Sequence, residues 1–437
     1  MKNKKIALAL FPVFWPNMPP LGLACLKGYL EKNGISAKCF DYNNFFFTKA
    51  DPALRSEWAK SCNRHLEDNI LALIKEDFRQ DFDRMIGSLS TYEIVSMSCF
   101  KSNFTATIGI AQYLKDARPD IKIVFGGPEI SRQYFKYGKD LVGKYKRIAD
   151  FFVVGEGERA LLKYITGENT ADPIALYDEM DDLCETGIPD YSDFDVEKYP
   201  RQKAVSILCS RGCIKKCAFC AEKLLYKKFK TYPVENIIRE IAEYRKRGIE
   251  RFVFHDSLIN GDLEALERLC DAIVENFSSV NWEAQIAIRP DMPDKIFQKI
   301  KESGCYHLFV GLESGSDRTL ERMKKGFTCR DALKFFEKLD QNGLSFGVSV
   351  ITGFPGESED DFRQSLDFII GNKRIIRKIE QVNPFVYYEG IDLPEEYDYR
   401  FQAGSVKRAH LFIEKIREHG FKFTNAFMMN LVESAWK

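Results

Sequence analysis

Short apolar runs alternate with amphipathic stretches through two long parts of this chain, and between those parts the rhythm fails. Up to residue 165 the runs Ile6–Phe11, Ala37–Asp41, Ile94–Cys99, Ile121–Phe125 and Phe151–Val154 read as strands. Uninterrupted apolar runs of this kind mark strands covered on both faces, as in a parallel sheet. Helical spacing covers Gly22–Asn33, which Gly34 stops, and Ala106–Ala117, and resumes near Arg159. Strand–helix repetition predicts a doubly wound parallel sheet, which binds ligands beyond the carboxyl ends of its strands. Those ends carry Pro20-Leu21-Gly22, Asp41, Ser98–Asn103, Gly126-Gly127-Pro128 and Gly155-Glu156-Gly157-Glu158, all glycine-rich or polar. Residues 45–90 lengthen one connection, and their helical spacing predicts helical cover or part of a partner surface.

Residues 166–203 are acidic, turn-rich and weakly periodic, and read as a linker. From Ala204 the alternation returns, with strands at Val205–Leu208, Arg251–Phe254, Trp282–Ala287, His307–Gly311, Phe346–Ile351 and Glu380–Phe385. Helices are expected between them over 234–247, 262–277, 292–303, 317–324, 329–342 and 358–370. Six such units over 204–390 suit a partial (β/α)6 barrel better than an open sheet. The remainder, 391–437, reads as a short helical appendage.

Composition narrows the picture modestly. The 437 residues carry 64 Lys+Arg and 64 Asp+Glu, so no net charge favours nucleic acid or an acidic membrane. No apolar run reaches the length of a spanning helix. The start, MKNKKIALALFPVFW, resembles a signal peptide, but PNMPPLGL follows instead of a small-residue cleavage site, so it reads as the first strand. Twelve cysteines without framework spacing suit a reducing compartment, and a cytoplasmic location is expected.

The chemistry concentrates in Cys209-Ser-Arg-Gly-Cys213-Ile-Lys-Lys-Cys217-Ala-Phe219-Cys220. Cys25, Cys39, Cys99, Cys270, Cys305 and Cys329 suit packing as small apolar groups. The cluster does not, because Arg211, Lys215 and Lys216 interrupt it and it leaves a strand as a loop. Soft thiolates in such a loop bind zinc or iron–sulfur clusters. Structural zinc wants two separated ligand pairs, and no second Cys-x-x-Cys or His-x₃₋₅-His exists. The triplet Cys213-x₃-Cys217-x₂-Cys220, with Phe219 before its last cysteine, resembles the motif of the radical S-adenosylmethionine (radical SAM) superfamily. The resemblance implies that three thiolates hold a [4Fe–4S] cluster whose fourth iron takes S-adenosylmethionine, and that Cys209 is a buried thiol. It extends to later strand ends. Asp256 stands where relatives meet the methionyl amino group or ribose, and Arg289 where an Arg pairs with the methionyl carboxylate. Glu313 and Ser314 in GLESGSDRTLERMKKG would face the ligand, and Ile351, Gly353 and Pro355 in ITGFPGE would pack the adenine. As plain packing or capping, Arg289 and Asp256 could instead serve neighbouring helices.

The front part resembles the Rossmann-like cobalamin-binding domains fused ahead of radical SAM domains, through PPLG, FGGPEIS and FFVVGEGERALLKYI. Pro20, Leu21, Gly22, Ser98, Gly126, Gly127, Gly155, Glu156 and Gly157 are the positions this implies for cobalamin. The Asp-x-His-x-x-Gly element of such domains is missing from FPVFWPNMPPLG, so a bound cobalamin would lack a protein imidazole. The resemblance implies a cobalamin-dependent methylase: reductive cleavage of S-adenosylmethionine to a 5′-deoxyadenosyl radical, and methylation of an unactivated carbon. The substrate would be a small molecule or peptide, and the electron donor a flavodoxin or ferredoxin. Tyr387 and Tyr388, after the sixth strand, are candidate substrate-facing residues. Epimerisation, cyclisation or rearrangement is the competing enzymatic outcome. A redox sensor with Cys209 as fourth ligand is the non-enzymatic one.

Overall fold

A computed structural model describes residues 4–59, 64–168, 172–393 and 402–423. The chain divides into two compact units, residues 1–206 with 224–227, and 207–223 with 228–437.

The front unit runs β1 (Ile6–Leu10), α1 (Leu21–Lys32), β2 (Ala37–Asp41), α2 (Tyr42–Lys49), α3 (Pro52–Trp58), α4 (Arg64–Asp77) and α5 (Arg79–Leu89). It continues through β3 (Ile94–Ser98), α6 (Phe104–Ala117), β4 (Lys122–Gly126), α7 (Pro128–Tyr137), α8 (Asp140–Tyr145), β5 (Phe151–Val154), α9 (Glu158–Thr166) and β6 (Ile174–Leu176). The six strands lie in the order β2-β1-β3-β4-β5-β6, all parallel. Strand order reverses beside β1, which puts a crevice at the carboxyl ends there. The long connection is helical cover: Leu66, Ile70, Ile74, Phe82, Met85 and Leu89 join the core with Ile110 and Leu114.

The stretch expected as a linker is built into this unit. β6 extends the sheet by pairing with β5, Phe152 opposite Ile174. Further along, Asp193 is fixed by Lys27, whose Nζ donates to its Oδ2 at 2.8 Å and to Ser192 Oγ at 2.7 Å, with Asp190 at 3.4 Å. Lys27 is 4% exposed, and a buried ammonium needs such partners. Gly28 lets the same segment approach, because a Cβ there would collide with the Ile188 carbonyl. Periodicity missed these residues because irregular backbone and ion pairs hold them.

The second unit begins at Ile207, the last residue of β7 (Ala204–Ile207), and continues into the small antiparallel pair β8 (Ser210–Arg211) and β9 (Lys230–Thr231). Then come α10 (Val234–Lys246), β10 (Arg251–Phe254), α11 (Leu263–Asn276), β11 (Asn281–Ile286), α12 (Asp294–Glu302) and β12 (Cys305–Glu313). The last elements are α13 (Asp317–Arg322), α14 (Cys329–Gln341), β13 (Phe346–Thr352), α15 (Glu359–Gly371), β14 (Lys378–Pro384), α16 (Gln402–Glu418) and β15 (Lys422–Phe423). The sheet order is β7-β10-β11-β12-β13-β14-β15, with every pair from β10 onward parallel. Consecutive strands are neighbours, as in a partial barrel. Leu308, Val310, Leu312, Val348 and Val350 are buried, whereas the alternate residues His307, Phe309 and Gly311 are half-buried on the inner face. The C-terminal part is not purely helical, since β15 adds a seventh strand beside β14. The aromatic and Met-rich stretch 424–436 lies outside the described residues. Among the described residues, no helix is long and apolar enough to cross a membrane.

Lys27→Met would remove the buried cation shared by Asp193 and Asp190, leaving Asp193 the exposed Lys38 at 2.8 Å. The variant should lose about 3 kcal/mol of stability, read as a lower urea midpoint. An unchanged midpoint would show that the segment at 190–193 is not held this way.

Candidate active site

The loop leaving β7 is fixed first by a carboxylate. Asp256, 1% exposed after β10, accepts from the backbone N–H of Cys209 at 3.1 Å, from the Ser210 N–H, and from Ser210 Oγ at 2.6 Å. The Cys209 thiol donates to the same carboxylate at 3.3 Å. Burial holds the Cys209 thiol well above its usual range, with Asp256 adding to the effect, so the thiol keeps its proton. Asp256 is therefore committed to the loop. Gly212 follows with φ +79, where a Cβ would meet the Lys228 carbonyl at 2.5 Å, so the turn needs glycine.

The rest of the loop leans on the segment after α13. Ala218 N–H donates to the Met323 carbonyl at 3.0 Å. Ala218 and Met323 pack with Phe354, Phe385 and Ile391, and Phe219, Ile351, Tyr387 and Tyr388 lie against that group. This apolar wall brings together four residues picked out in the sequence. Beside it, burial raises the Cys213 thiol to about 11 and Cys220 to about 12, and raises Cys217 as well. The three thiols influence one another, and Lys325 opposes the rise at Cys213 and Cys217.

Lys325, absent from the sequence candidates, is a cation at this mouth. Its Nζ lies 3.4 Å from Glu313 Oε1 and 5.7 Å from the centre of the Phe219 ring. Both side chains of the ion pair are 11% exposed. Glu313 Oε2 accepts from Ser349 Oγ at 3.0 Å. Gly311 leaves room for the pair, because a Cβ there would stand 2.7 Å from Glu313 Oε1. Glu313 itself sits at φ +72, an uncommon conformation for a residue with a side chain and one that functional sites tend to hold. The signal in the sequence was the basic pair in MKKG, which reads there as ordinary helix-end charge.

Other candidates point elsewhere. Arg289 donates from Nη1 to the carbonyls of Asn260 and Gly261 at 2.8 and 2.9 Å, and pairs with Asp291 at 2.5 Å. Ser314 is 1% exposed and bonds Ser365 Oγ at 2.9 Å, towards α15. Gly353, at φ +71, lets β13 approach Ser405 of α16, and its N–H donates to Glu357 Oε2 at 2.7 Å. Glu357 is paired in turn with Arg408 at 2.8 Å. Pro355 is buried.

Residues 207–369 match the Radical SAM superfamily. An uncharacterised methyltransferase of Pyrococcus horikoshii is 24% identical over 297 residues, covering 63% of this chain and 63% of that protein. A tRNA-2-methylthio-N6-dimethylallyladenosine synthase of Fusobacterium nucleatum is 27% identical over 225 residues, covering 46% and 48%. The chain thus spans about half to three-fifths of the length of these curated relatives. Among solved structures, the cobalamin-containing radical SAM methyltransferase TsrM of Kitasatospora setae superposes with TM-score 0.67 at 16% identity, over 89% of this chain and 74% of that one. The cobalamin-dependent radical SAM enzyme OxsB gives 0.66 at 17%, over 95% and 56%. At such identities the superpositions speak for the fold. Residues 207–369 are a radical SAM domain.

Radical SAM proteins use a [4Fe–4S] cluster, and the donor set of this domain fits one. Among the described residues no three His, Cys, Asp or Glu side chains are grouped around a single ion. In a cluster each thiolate binds its own iron, so three neighbouring but separate thiols are the appropriate set.

In the front unit, the predicted cobalamin positions separate. Gly126 is open, with only Val153 Cβ at 3.7 Å from a notional Cβ, and Ser98 is half-buried at the end of β3. Gly127 and Gly155 serve the fold: a Cβ would meet the Cys99 carbonyl at 2.8 Å and the Tyr177 ring at 2.9 Å. Gly157 abuts Leu26, and Glu156 accepts from the Met180 N–H at 3.1 Å. Pro20 precedes α1, which begins at Leu21, and Gly22 faces open space.

Alanine at Cys213, Cys217 or Cys220 should abolish the brown absorbance of the anaerobically reconstituted protein. Cys209→Ser should retain it, since its thiol serves Asp256. Loss of absorbance in Cys209→Ser alone would reverse that assignment.

Proposed function

We propose that this protein is a cobalamin-dependent radical SAM methylase acting on an unactivated carbon of a small molecule or peptide. The observation that carries the reading is the donor set: three thiols are available at the mouth, while Cys209 donates to Asp256. Three ligands for four irons leave one iron for S-adenosylmethionine, whereas an electron carrier or sensor would enlist a fourth. When bound, cluster and S-adenosylmethionine supply a 5′-deoxyadenosyl radical, and cobalamin supplies the methyl group.

The chain's own residues bind, orient and shield. Cys213, Cys217 and Cys220 hold the cluster on a loop pinned by Asp256 and Met323. Lys325 takes the part that family position gave to Arg289 and receives the methionyl carboxylate, with Glu313 and Ser349 beside it. Ile351, Phe219 and Phe354 exclude water from the adenosyl group, and Tyr387 and Tyr388 border the substrate. The open strand ends at Ser98 and Gly126 suit cobalamin. The front unit's one histidine, His65 on α4, has its Nδ1 3.4 Å from Asn69 Nδ2 of its own helix, so a bound cobalamin would do without an imidazole from the loop after β1. Electrons would come from a flavodoxin or ferredoxin. A second reading, radical chemistry without methyl transfer, draws on the structural employment of Gly127, Gly155 and Glu156.

Anaerobic protein given iron, sulfide, cobalamin, S-adenosylmethionine and reductant should form 5′-deoxyadenosine. No 5′-deoxyadenosine would count against the radical reading, and failure to retain a cobalt chromophore would leave only the second one. Retained cob(II)alamin should show no nitrogen hyperfine splitting from a protein imidazole.

Lys325→Met should weaken S-adenosylhomocysteine binding roughly tenfold or more. It should leave 5′-methylthioadenosine, which lacks the carboxylate, nearly unaffected. Arg289→Met should do neither; the reverse pattern would return the carboxylate to Arg289.

A further inference from the structure

Along β11–β14, register defines rows of side chains on the face turned away from the helices. Gln285 lies beside Phe309 and Phe309 beside Gly347; Gly311 lies beside Ser349 and Ser349 beside Gln381; Ile351 lies beside Asn383. The intervening residues Ile286, Val310, Val348, Val350 and Val382 are buried on the other side. The last row, with Ile351, belongs to the mouth already described, and the others lie deeper along the strands.

An interior that only packs is filled by branched apolar side chains. This one is not. Its carboxylates are already engaged: Glu313 by Lys325 at 3.4 Å, Glu380 by His307 at 2.5 Å, and Glu283 by the Tyr306 hydroxyl at 2.5 Å. Gly347 leaves the space Glu380 needs, since a Cβ there would stand 2.5 Å from its Oε1. By contrast, the side chains of Gln285, Gln381 and Asn383 have no hydrogen-bond partner among the described residues. Gln285 is exposed although its strand is flanked on both sides. Each carboxamide offers donors and an acceptor without charge. With the neighbouring carboxylates already engaged, the complementary ligand is one that also donates and accepts without charge.

We propose that the inner face of β11–β14 binds the non-reacting part of the substrate, and that this part is uncharged and amide-bearing, as a peptide unit, lactam or carboxamide is. Gln285 and Gln381 hydrogen-bond it, Phe309 covers its flat face, and Asn383 guides it towards the mouth. The proposal rests on the radical SAM reading, in which Tyr387 and Tyr388 border the substrate.

The test uses the full chain, reconstituted anaerobically and saturated with S-adenosylhomocysteine. Calorimetric titration with cyclo(glycylglycine), a neutral ring carrying amide N–H and C=O groups, is compared with succinate and 1,4-diaminobutane. Cyclo(glycylglycine) should bind and the charged compounds should not. Gln285→Leu and Gln381→Leu should each weaken it about tenfold, with S-adenosylhomocysteine affinity reporting an intact mouth. Equal or tighter binding of either charged compound overturns the proposal, as does unchanged affinity in both variants or no binding of the neutral ring. 5′-Deoxyadenosine formation by the same preparation tests the underlying reading separately. If it forms while the neutral ring fails to bind, the fault lies with the inner-face proposal alone.

Discussion

The carboxylate of Asp256 is almost wholly removed from water, and it is held there by the backbone of Cys209 and Ser210, the Ser210 hydroxyl and the Cys209 thiol. Burial raises it to about 6 in spite of these bonds, which favour the charged form. Glu240, buried on α10, is raised to about 8 by burial, with the charge of Asp256 adding to the shift, so it stays neutral where Asp256 is ionised. One buried charge is thus satisfied and a second avoided. The consequence reaches forward along the loop. With its first residues tied to the end of β10, the loop can offer three later thiols to a cluster and keep the nearest fourth one occupied.

Everything else at the mouth is arranged around that loop. The Met323 carbonyl receives Ala218, and Lys325, two residues on, lies between Phe219 and Glu313. A single segment after β12 therefore touches the cysteine loop and carries the lysine that pairs with Glu313. Glu313 adopts φ +72 to turn its carboxylate inward, and Gly311 makes room for it. The apolar wall of Phe354, Phe385 and Ile391 keeps this ion pair at low exposure, where it is stronger than it would be in water.

Several candidates are engaged by partners close at hand in the fold. Arg289 is claimed by two carbonyls and by Asp291, and Ser314 by Ser365. Gly353 and Glu357 are claimed by α16, a helix whose position along β13 and β14 no local pattern announces. Likewise the segment 174–193 looks structureless in sequence because a short edge strand and the Lys27 ion pairs hold it. Lys325 went unnoticed because a lysine near a helix end is ordinary until Glu313 is seen beside it.

The sequence by itself marked the strands β1 to β5, β7 and β10 to β14 to within two residues at either end, the order of the two units, and the spacing of Cys213, Cys217 and Cys220. Those features are local: an apolar run, a helical period or a fixed spacing carries its own cause. Tertiary structure alone decided which polar side chains remain free after the fold has used the others. It gave Asp256 to the loop, Arg289 to neighbouring carbonyls and Lys325 to Glu313, and it left Gln285, Gln381 and Asn383 without partners among the described residues. A hydrogen-bonding group is spent on whatever lies within about 3 Å of it, and that neighbour comes from a distant part of the chain.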